Sequence, residues 1–161
     1  MRHFPSAMTR AESEAFALDA RTLIEARGWG LWAVEVVEGA PFIGFVGLAQ
    51  PRFEAHFTPA VEIGWRLARE HWGSGYATEG ARAALSFAFD ELGLEEIVSF
   101  TTVANERSRK VMERLGMTHD PNDDFDHPLL VHDDPLRPHV LYRFSRADWE
   151  NRRAPDRASV G

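Results

Sequence analysis

The sequence predicts an α/β (α+β) fold, a mixed sheet with helices on its faces. Three observations predict it. Stretches with helical spacing of apolar residues alternate with stretches of strand-like alternation. Taken in order they read helix, hairpin, strand, helix, strand, helix, strand. And 161 residues, 44 % of them apolar, suffice for one domain with its own core.

The first helix begins at Thr9, which with Glu12 has capping-box spacing, and runs to about Arg27. Phe16, Ala20, Leu23 and Ile24 share one side of it, and Gly28 and Gly30 end it. GLWAVEVVEGAPFIGFVGLAQ then reads as two strands joined at Glu38-Gly39-Ala40, rich in residues that suit a pleated surface. PRFEAHFTP is loop-like. In VEIGWRL, Val61, Ile63, Trp65 and Leu67 point one way, and Glu62, Gly64 and Arg66 the other. The next helix runs from about Thr78 to Leu92, with Leu85, Ala88, Phe89 and Leu92 as its buried stripe and Gly93 as its stop. EIVSFTTV is a strand. Asn105 opens a helix with Ser108, Val111, Met112 and Leu115 on one face, stopped by Gly116. Residues 119–138 are polar, proline-broken and long for a loop, a length that often goes with function. HVLYRFS is the last strand. Residues 1–149 form the domain, and 150–161 have the composition of a mobile tail.

The bulk numbers close off several classes. There are no cysteines, which excludes disulfides, thiolate metal sites and a cysteine nucleophile. No apolar run approaches the ~20 residues of a membrane span, and MRHFPSAMTR has no apolar signal core. We therefore expect a cytoplasmic protein with no membrane partner. A net charge of −7 and no basic stripe argue against nucleic acid. The acidity reads as a solvated surface, with cationic partners as the alternative.

Between a strand and a helix stands Trp72-Gly73-Ser74-Gly75-Tyr76-Ala77-Thr78-Glu79-Gly80. Glycine lets a backbone approach a ligand closely. The amides at a helix start are unpaired and lie at the positive end of its dipole. Such a place suits a phosphate or pyrophosphate. A plain glycine turn is the competing reading. No Gly-Lys-Ser/Thr follows, so this is not a nucleoside triphosphatase loop, and the spacing is not that of a dinucleotide fold.

With its surroundings, WGSGYATEGARAALSFAFDELGLEEIVSFTTVANERSRKVMERLGM resembles the GNAT superfamily of acyl-CoA-dependent N-acetyltransferases, and within it the Rim-type branch that includes ribosomal-protein N-acetyltransferases. The resemblance is specific from about Val61 to Met117 and looser from the start to about Trp149. It implies a mostly antiparallel sheet, acetyl-CoA as co-substrate, and transfer of an acetyl group to a primary amine by direct attack in a ternary complex. The acceptor would be a protein N-terminus or a small amine. Loop amides from Trp72 through Gly73, Ser74, Gly75 and Tyr76 to Ala77, with Thr78 beside them, would hold the pyrophosphate. Trp72 takes the place where the wider superfamily has Arg or Gln. Trp65, Arg66 and Leu67 would contact the pantetheine arm, and Asn105 and Ser108 would sit beside its thioester end. An N-cap for Asn105 and a helix back-bond for Ser108 are the structural alternatives.

Acetyl transfer needs a neutral amine, a stabilised carbonyl oxygen and a proton for the leaving sulfur. Glu62 is the candidate base, at a position where the family often has a glutamate; an ion pair with Arg66 is the alternative. Ser108 and Tyr142 compete for the acid, and for Tyr142 a core tyrosine is the weightier reading. Asp126 and His127 are candidates for the acceptor mouth, with a surface turn as the alternative. His119, His127, His132 and His139 match no compact ligand spacing, so no metal is expected. Rim-type proteins usually begin with a strand and helix ahead of the M-R-H-F-P element that opens this chain. Either the sequence is a truncated form, or something else covers the sheet edge so left, as a homodimer would. The other reading overall is a non-catalytic acyl-CoA-binding module or subunit.

Overall fold

A computed structural model describes residues 8–153. The MRHFP element and residues 154–161 of the expected tail lie outside them. Helix α1 spans Arg10–Arg27, and its start is the expected capping box. Thr9 Oγ1 accepts from the Glu12 amide at 3.2 Å, and the Glu12 carboxylate accepts from the Thr9 amide at 2.7 Å. Gly28 closes the helix in the left-handed region, at φ 83°.

The hairpin is β1 (Leu31–Val34) with β2 (Gly44–Ala49), and β2 pairs in turn with β3 (Glu62–Leu67). Helix α2 (Tyr76–Ser86) leads to β4 (Glu96–Thr102), α3 (Glu106–Leu115), short strands β5 (Thr118–His119) and β6 (Phe125–Asp126), β7 (Pro138–Ser145) and α4 (Arg146–Arg153). The sheet order is β1-β2-β3-β4-β7-β5, with β6 also on β7. The β3/β4 pair is parallel, and the remaining neighbours among the described strands are antiparallel. This is the mixed, mostly antiparallel sheet that the resemblance implies.

Alternation sorts the side chains onto two faces. One face carries Val46, Leu48, Ile63, Ile97, Val140, Tyr142 and Phe144, packed under α2 and α3 with Leu85, Phe89, Met112 and Leu115. Helix α4 is pinned there by Trp149, stacked on Phe89 at 5.6 Å and edge-on to Phe144 at 6.2 Å. The other face carries Phe57, Val98 and Leu141, with Phe53, Phe100 and Phe125 packed against them. Helix α1 meets this same side, where Phe16 lies 5.2 Å from Phe45. No residue of α1 is fully buried; Phe16, Ala20, Leu23 and Ile24 form the expected stripe but stay half-covered.

Three expectations need correction. The helix expected to run on to Leu92 leaves α-geometry at Phe87, and a π-helical turn spans Phe87–Glu91, closed by the Leu92 amide on the Phe87 carbonyl at 3.1 Å. The extra residue lets Phe87 meet Trp32 edge-on at 5.4 Å while Phe89 faces the core. Residues 119–138 are not all loop, since β5 and β6 pair with β7. And the fold runs past Trp149: residues 150–153 belong to α4, where Arg153 reaches Asp90 at 2.6 Å. No helix among the described residues is long and apolar enough to cross a membrane.

Candidate active site

The parallel pair is where the sheet opens. β3 and β4 are in register only at Glu62 and Val98, where the Val98 amide donates to the Val61 carbonyl at 3.0 Å. Past that point the strands part, and Ser99 Oγ bridges to the Ile63 carbonyl at 2.9 Å. β2 covers the opposite edge of β3 along its whole length. Residues 64–67 thus present an edge that β4 does not cover.

A cleft of about 1450 Å3 borders this uncovered edge. That exceeds the roughly 300–1,000 Å3 of an ordinary small-molecule site, so it has room for a long ligand. Trp65, Arg66 and Leu67 line it from β3, and Asn105, Ser108 and Val111 from α3. Phe16, Ala20 and Ile24 of α1 line it on the far side.

The glycine stretch forms one wall. Gly73 and Gly75 have φ of 79° and 81°, in the region where only glycine is unstrained, and a Cβ on either would meet nothing within 4 Å. Helix α2 has Gly75 as its N-cap with no side chain closing it. The Glu79 amide is the first to find a carbonyl, that of Gly75 at 3.0 Å. The amides of residues 73–78 have no protein acceptor among the described residues. An uncapped helix start, open space and free amides suit a phosphate group. Of the residues expected to hold the cofactor, all but Ser74 line the cleft. Trp72 contributes differently from the expectation. Its amide is taken by the Arg69 carbonyl at 3.1 Å, and its indole Nε1 donates to the Leu67 carbonyl at 2.8 Å. It offers the cleft an anchored ring rather than an amide.

Asn105 does cap α3, and more. Its Oδ1 accepts from the Ser108 amide at 3.3 Å, while its Nδ2 donates to Thr101 Oγ1 at 2.9 Å and to Ser108 Oγ at 3.1 Å. Ser108 Oγ is therefore held as an acceptor, which leaves its own proton for another partner.

Glu62 sits where the strands part, on the sheet face shared with Gly64 and Arg66. It makes no ion pair among the described residues. It is half-buried by exposed area, yet its carboxyl lies deep enough that lost hydration pushes its pKa up to about 7. A Cβ on Gly64 would meet nothing within 4 Å, so space is open beside this carboxyl.

Glu62 belongs to the strand that borders the cleft but does not itself line it, and Tyr142 stands elsewhere. It is buried on the α2/α3 face, its hydroxyl donates to Glu113 at 3.1 Å, and His119 stacks on its ring at 4.9 Å. It does not line the cleft and reads as a core tyrosine. Asp126 and His127 do not line it either. Asp126 lies 3.4 Å from Arg137. His127 packs against Phe53 at 4.5 Å and His139 at 5.0 Å, and burial, then His139, pushes its pKa down. Both stand at the aromatic end of the Glu62 face, beyond the strand β4 residue Phe100.

Among the cleft residues that the sequence reading did not single out are Arg69, Arg107, Lys110 and Arg114. Their signal was present. Arg107, Lys110 and Arg114 recur at helical spacing on the side that carries Ser108 and Val111.

Residues 1–118 match the family model described as the acetyltransferase (GNAT) domain. The chain is 43 % identical over 96 residues to the FsC-acetyl coenzyme A-N(2)-transacetylase of Aspergillus fumigatus, a match over 57 % of this chain and 40 % of that one. The chain spans about half or less of the length of the curated relatives it matches first. Among solved structures, an acetyltransferase from Agrobacterium tumefaciens is similar with a TM-score of 0.66 and 27 % identity, over 89 % of this chain and 76 % of that one. The ribosomal-protein-S5-alanine acetyltransferase of Vibrio fischeri shares the fold, with a TM-score of 0.70 at 19 % identity over 91 % and 80 % of the two chains.

Proposed function

The chain belongs to the GNAT acetyltransferase family, and from that premise we propose that it moves an acetyl group from acetyl-CoA to a primary amine by direct attack in a ternary complex. The observation that carries this is the shared cleft. An uncapped helix start, the uncovered edge of β3 and the Asn105–Ser108 pair all open into it.

Bound there, acetyl-CoA supplies an acyl group activated as a thioester. Amides from residue 73 onward hold the pyrophosphate at the start of α2. Backbone groups of residues 64–67 align the pantetheine arm, with the Leu67 carbonyl already given to Trp72. Glu62 takes the proton that the ammonium of the acceptor must lose, directly or through water. A pKa near 7 suits that task, since the carboxylate is both present and basic near neutral pH. As the carbon–nitrogen bond forms and the carbon–sulfur bond breaks, Ser108 Oγ, held by Asn105, delivers its proton to the leaving sulfur and takes up in turn the second proton shed by the attacking nitrogen.

The acceptor is a primary amine, either on a small molecule or at a protein N-terminus. The fungal relative's name points to an N(2) amine, and the Rim-type likeness points to protein N-termini. The test is release of free thiol from acetyl-CoA in the presence of primary amines. We expect amine-dependent release that Glu62→Gln suppresses while CoA affinity persists. Thiol release no faster than without protein, across an amine panel, would favour a non-catalytic acyl-CoA-binding module instead.

A further inference from the structure

The cleft has two unlike parts. One, walled by the glycine stretch, Asn105 and Ser108, is given to the cofactor in the reading above. The other lies between α1 and the sheet, and its walls are apolar. Phe16, Ala20 and Ile24 line it from the helix, and Leu31, Ala33 and Phe45 from β1 and β2. None of these side chains is fully buried. Phe16 and Phe45 meet at 5.2 Å, yet the two walls do not close on each other. Facing apolar walls that stay apart form a slot for an apolar guest.

The sheet wall of the slot shares a face with Glu62. Alternation puts Glu62, Gly64 and Arg66 on one face of β3. Phe45 is the register partner of Arg66, and Ala33 that of Phe45, so these side chains belong to that face too. Gly64 stands between Glu62 and Arg66, and a Cβ there would meet nothing within 4 Å. The path from Glu62 towards the slot is therefore not filled at residue 64. An amine nitrogen set between Glu62 and a thioester beside Ser108 sends its substituent along this face. The acyl group hangs from the thioester on the α3 side, so the slot under α1 falls to the amine. Charge narrows the substituent further. Glu25 and Glu106 are the carboxylates among the described lining residues, and arginines and lysines outnumber them. A second ammonium on the acceptor would meet repulsion there.

We propose that the acceptor is a primary amine carrying an apolar chain or ring, and that this group seats between α1 and the β1–β2 hairpin. This rests on the reading of the cleft as an acyl-CoA site with Glu62 as base. Selection is by apolar area, since each methylene taken out of water favours binding roughly fourfold. The group belongs either to a small amine or to the first residue of a peptide, and the slot reads the same chemistry in both.

The experiment measures kcat/KM for thiol release from acetyl-CoA along the n-alkylamines from ethylamine to hexylamine. A control is the diamine in which the terminal methyl of hexylamine is replaced by a second ammonium. Tripeptides that begin with Phe or Gly put the same question to a peptide N-terminus. We expect a rise of about threefold to fourfold per methylene, hexylamine ahead of the diamine by on the order of tenfold or more, and Phe ahead of Gly. Ala33→Phe and Ala17→Phe fill the slot from the sheet and from the helix, at lining positions that are exposed. Each should flatten the rise, with CoA affinity and melting temperature kept. A flat series in the unmodified protein, or preference for the diamine, would overturn the proposal and leave acetyl transfer standing. A rise that both variants leave intact would overturn it as well. So would a preference for hexanoyl-CoA over acetyl-CoA that both variants abolish, by giving the slot to the acyl chain. No thiol release with any amine would overturn the reading on which it rests. Calorimetry of hexylamine against the diamine on CoA-loaded protein then decides the slot by itself: tighter hexylamine supports it, and equal affinities overturn it.

Discussion

The two faces of the sheet are built for different work. The face under α2, α3 and α4 is closed: Leu85, Phe89, Ile97, Met112 and Phe144 are each at most 1 % exposed. Helix α2 lies so near β2 that a Cβ on Gly80 would meet Val46 at 3.2 Å. The face under α1 is open, with a helix that buries no residue fully and an aromatic cluster edged by His56, His127 and His139. Between the two lies the gap at which β3 and β4 part. The difference teaches a division of labour. One face fixes the glycine loop and α3, which under the proposed function present a phosphate cradle without moving. The other leaves space around Glu62 for a substrate whose shape is not built into the core.

The largest effect expected follows from Glu62, the base proposed on the open face. Glu62→Gln should lower kcat by ~10²–10⁴-fold, the usual worth of a general base, while the Kd for CoA stays within about twofold. In the unmodified protein kcat should rise with pH through about 7, as the carboxylate forms, and that rise should vanish in the variant. Stopped thiol-release assays across pH 5.5–8.5, on the order of half-unit steps, read both. Loss of CoA affinity in step with kcat would move Glu62 from the open face to the scaffold.

The closed face should show itself in stability. Leu85→Ala removes a side chain 1 % exposed and should cost about 2–5 kcal/mol. Phe16→Ala, on the half-covered face of α1, should cost roughly 1 kcal/mol. Urea unfolding of both checks it, and similar losses would dissolve the contrast between the faces.

What the sequence made legible tracks the same divide. The closed face was readable because its signals are local: the alternation of VEIGWRL, the glycines at 73, 75, 93 and 116, and the Asn105 cap. Each is a short-range rule that tertiary contacts did not override. The π-helical turn at Phe87–Glu91 was not readable, because it follows from where Trp32, Phe144 and Trp149 stand, far along the chain. Residues 150–153, the end of helix α4, were read as tail since Trp149 is the one large apolar residue in RADWENRR. The Ser145–Asp148 spacing was its overlooked start signal: Ser145 Oγ accepts the Asp148 amide at 3.1 Å and donates to its carboxylate at 2.8 Å. In the candidate site, the glycine stretch lies in one run of sequence, so its open helix start was legible. Tyr142 was misleading as an acid candidate, because alternation gives the face of a residue but not the partner, here Glu113, that claims its hydroxyl.

Smaller effects sharpen the comparison further. Burial raises the Glu62 pKa from 4.5 to about 7, so the fold prefers the neutral acid. Its contribution to stability is full below pH 4.5 and lost as pH rises through 7, by at most about 3 kcal/mol. Glu62→Gln should therefore melt higher than the unmodified protein at pH 8 and no higher at pH 4. An equal difference at both values would mean that water reaches the carboxyl freely. The smallest effect concerns His127, whose pKa burial holds below 6.5. The unfolded chain takes up this proton first as pH falls, so stability is lost on acidification below about 6.5. His127→Gln should make that acid slope shallower, read by melting at pH 5, 6 and 7.

The most direct test of the central claim is the melting temperature with saturating CoA, acetyl-CoA or AMP, for the unmodified protein and for Gly75→Glu. At one hundred times Kd, binding adds about 2.7 kcal/mol, enough to move a melting curve visibly. The account predicts a rise with CoA and acetyl-CoA, little with AMP, and none in Gly75→Glu, where bulk and negative charge enter the cradle. A cofactor-induced rise that survives Gly75→Glu, or no rise at all in the unmodified protein, would contradict it.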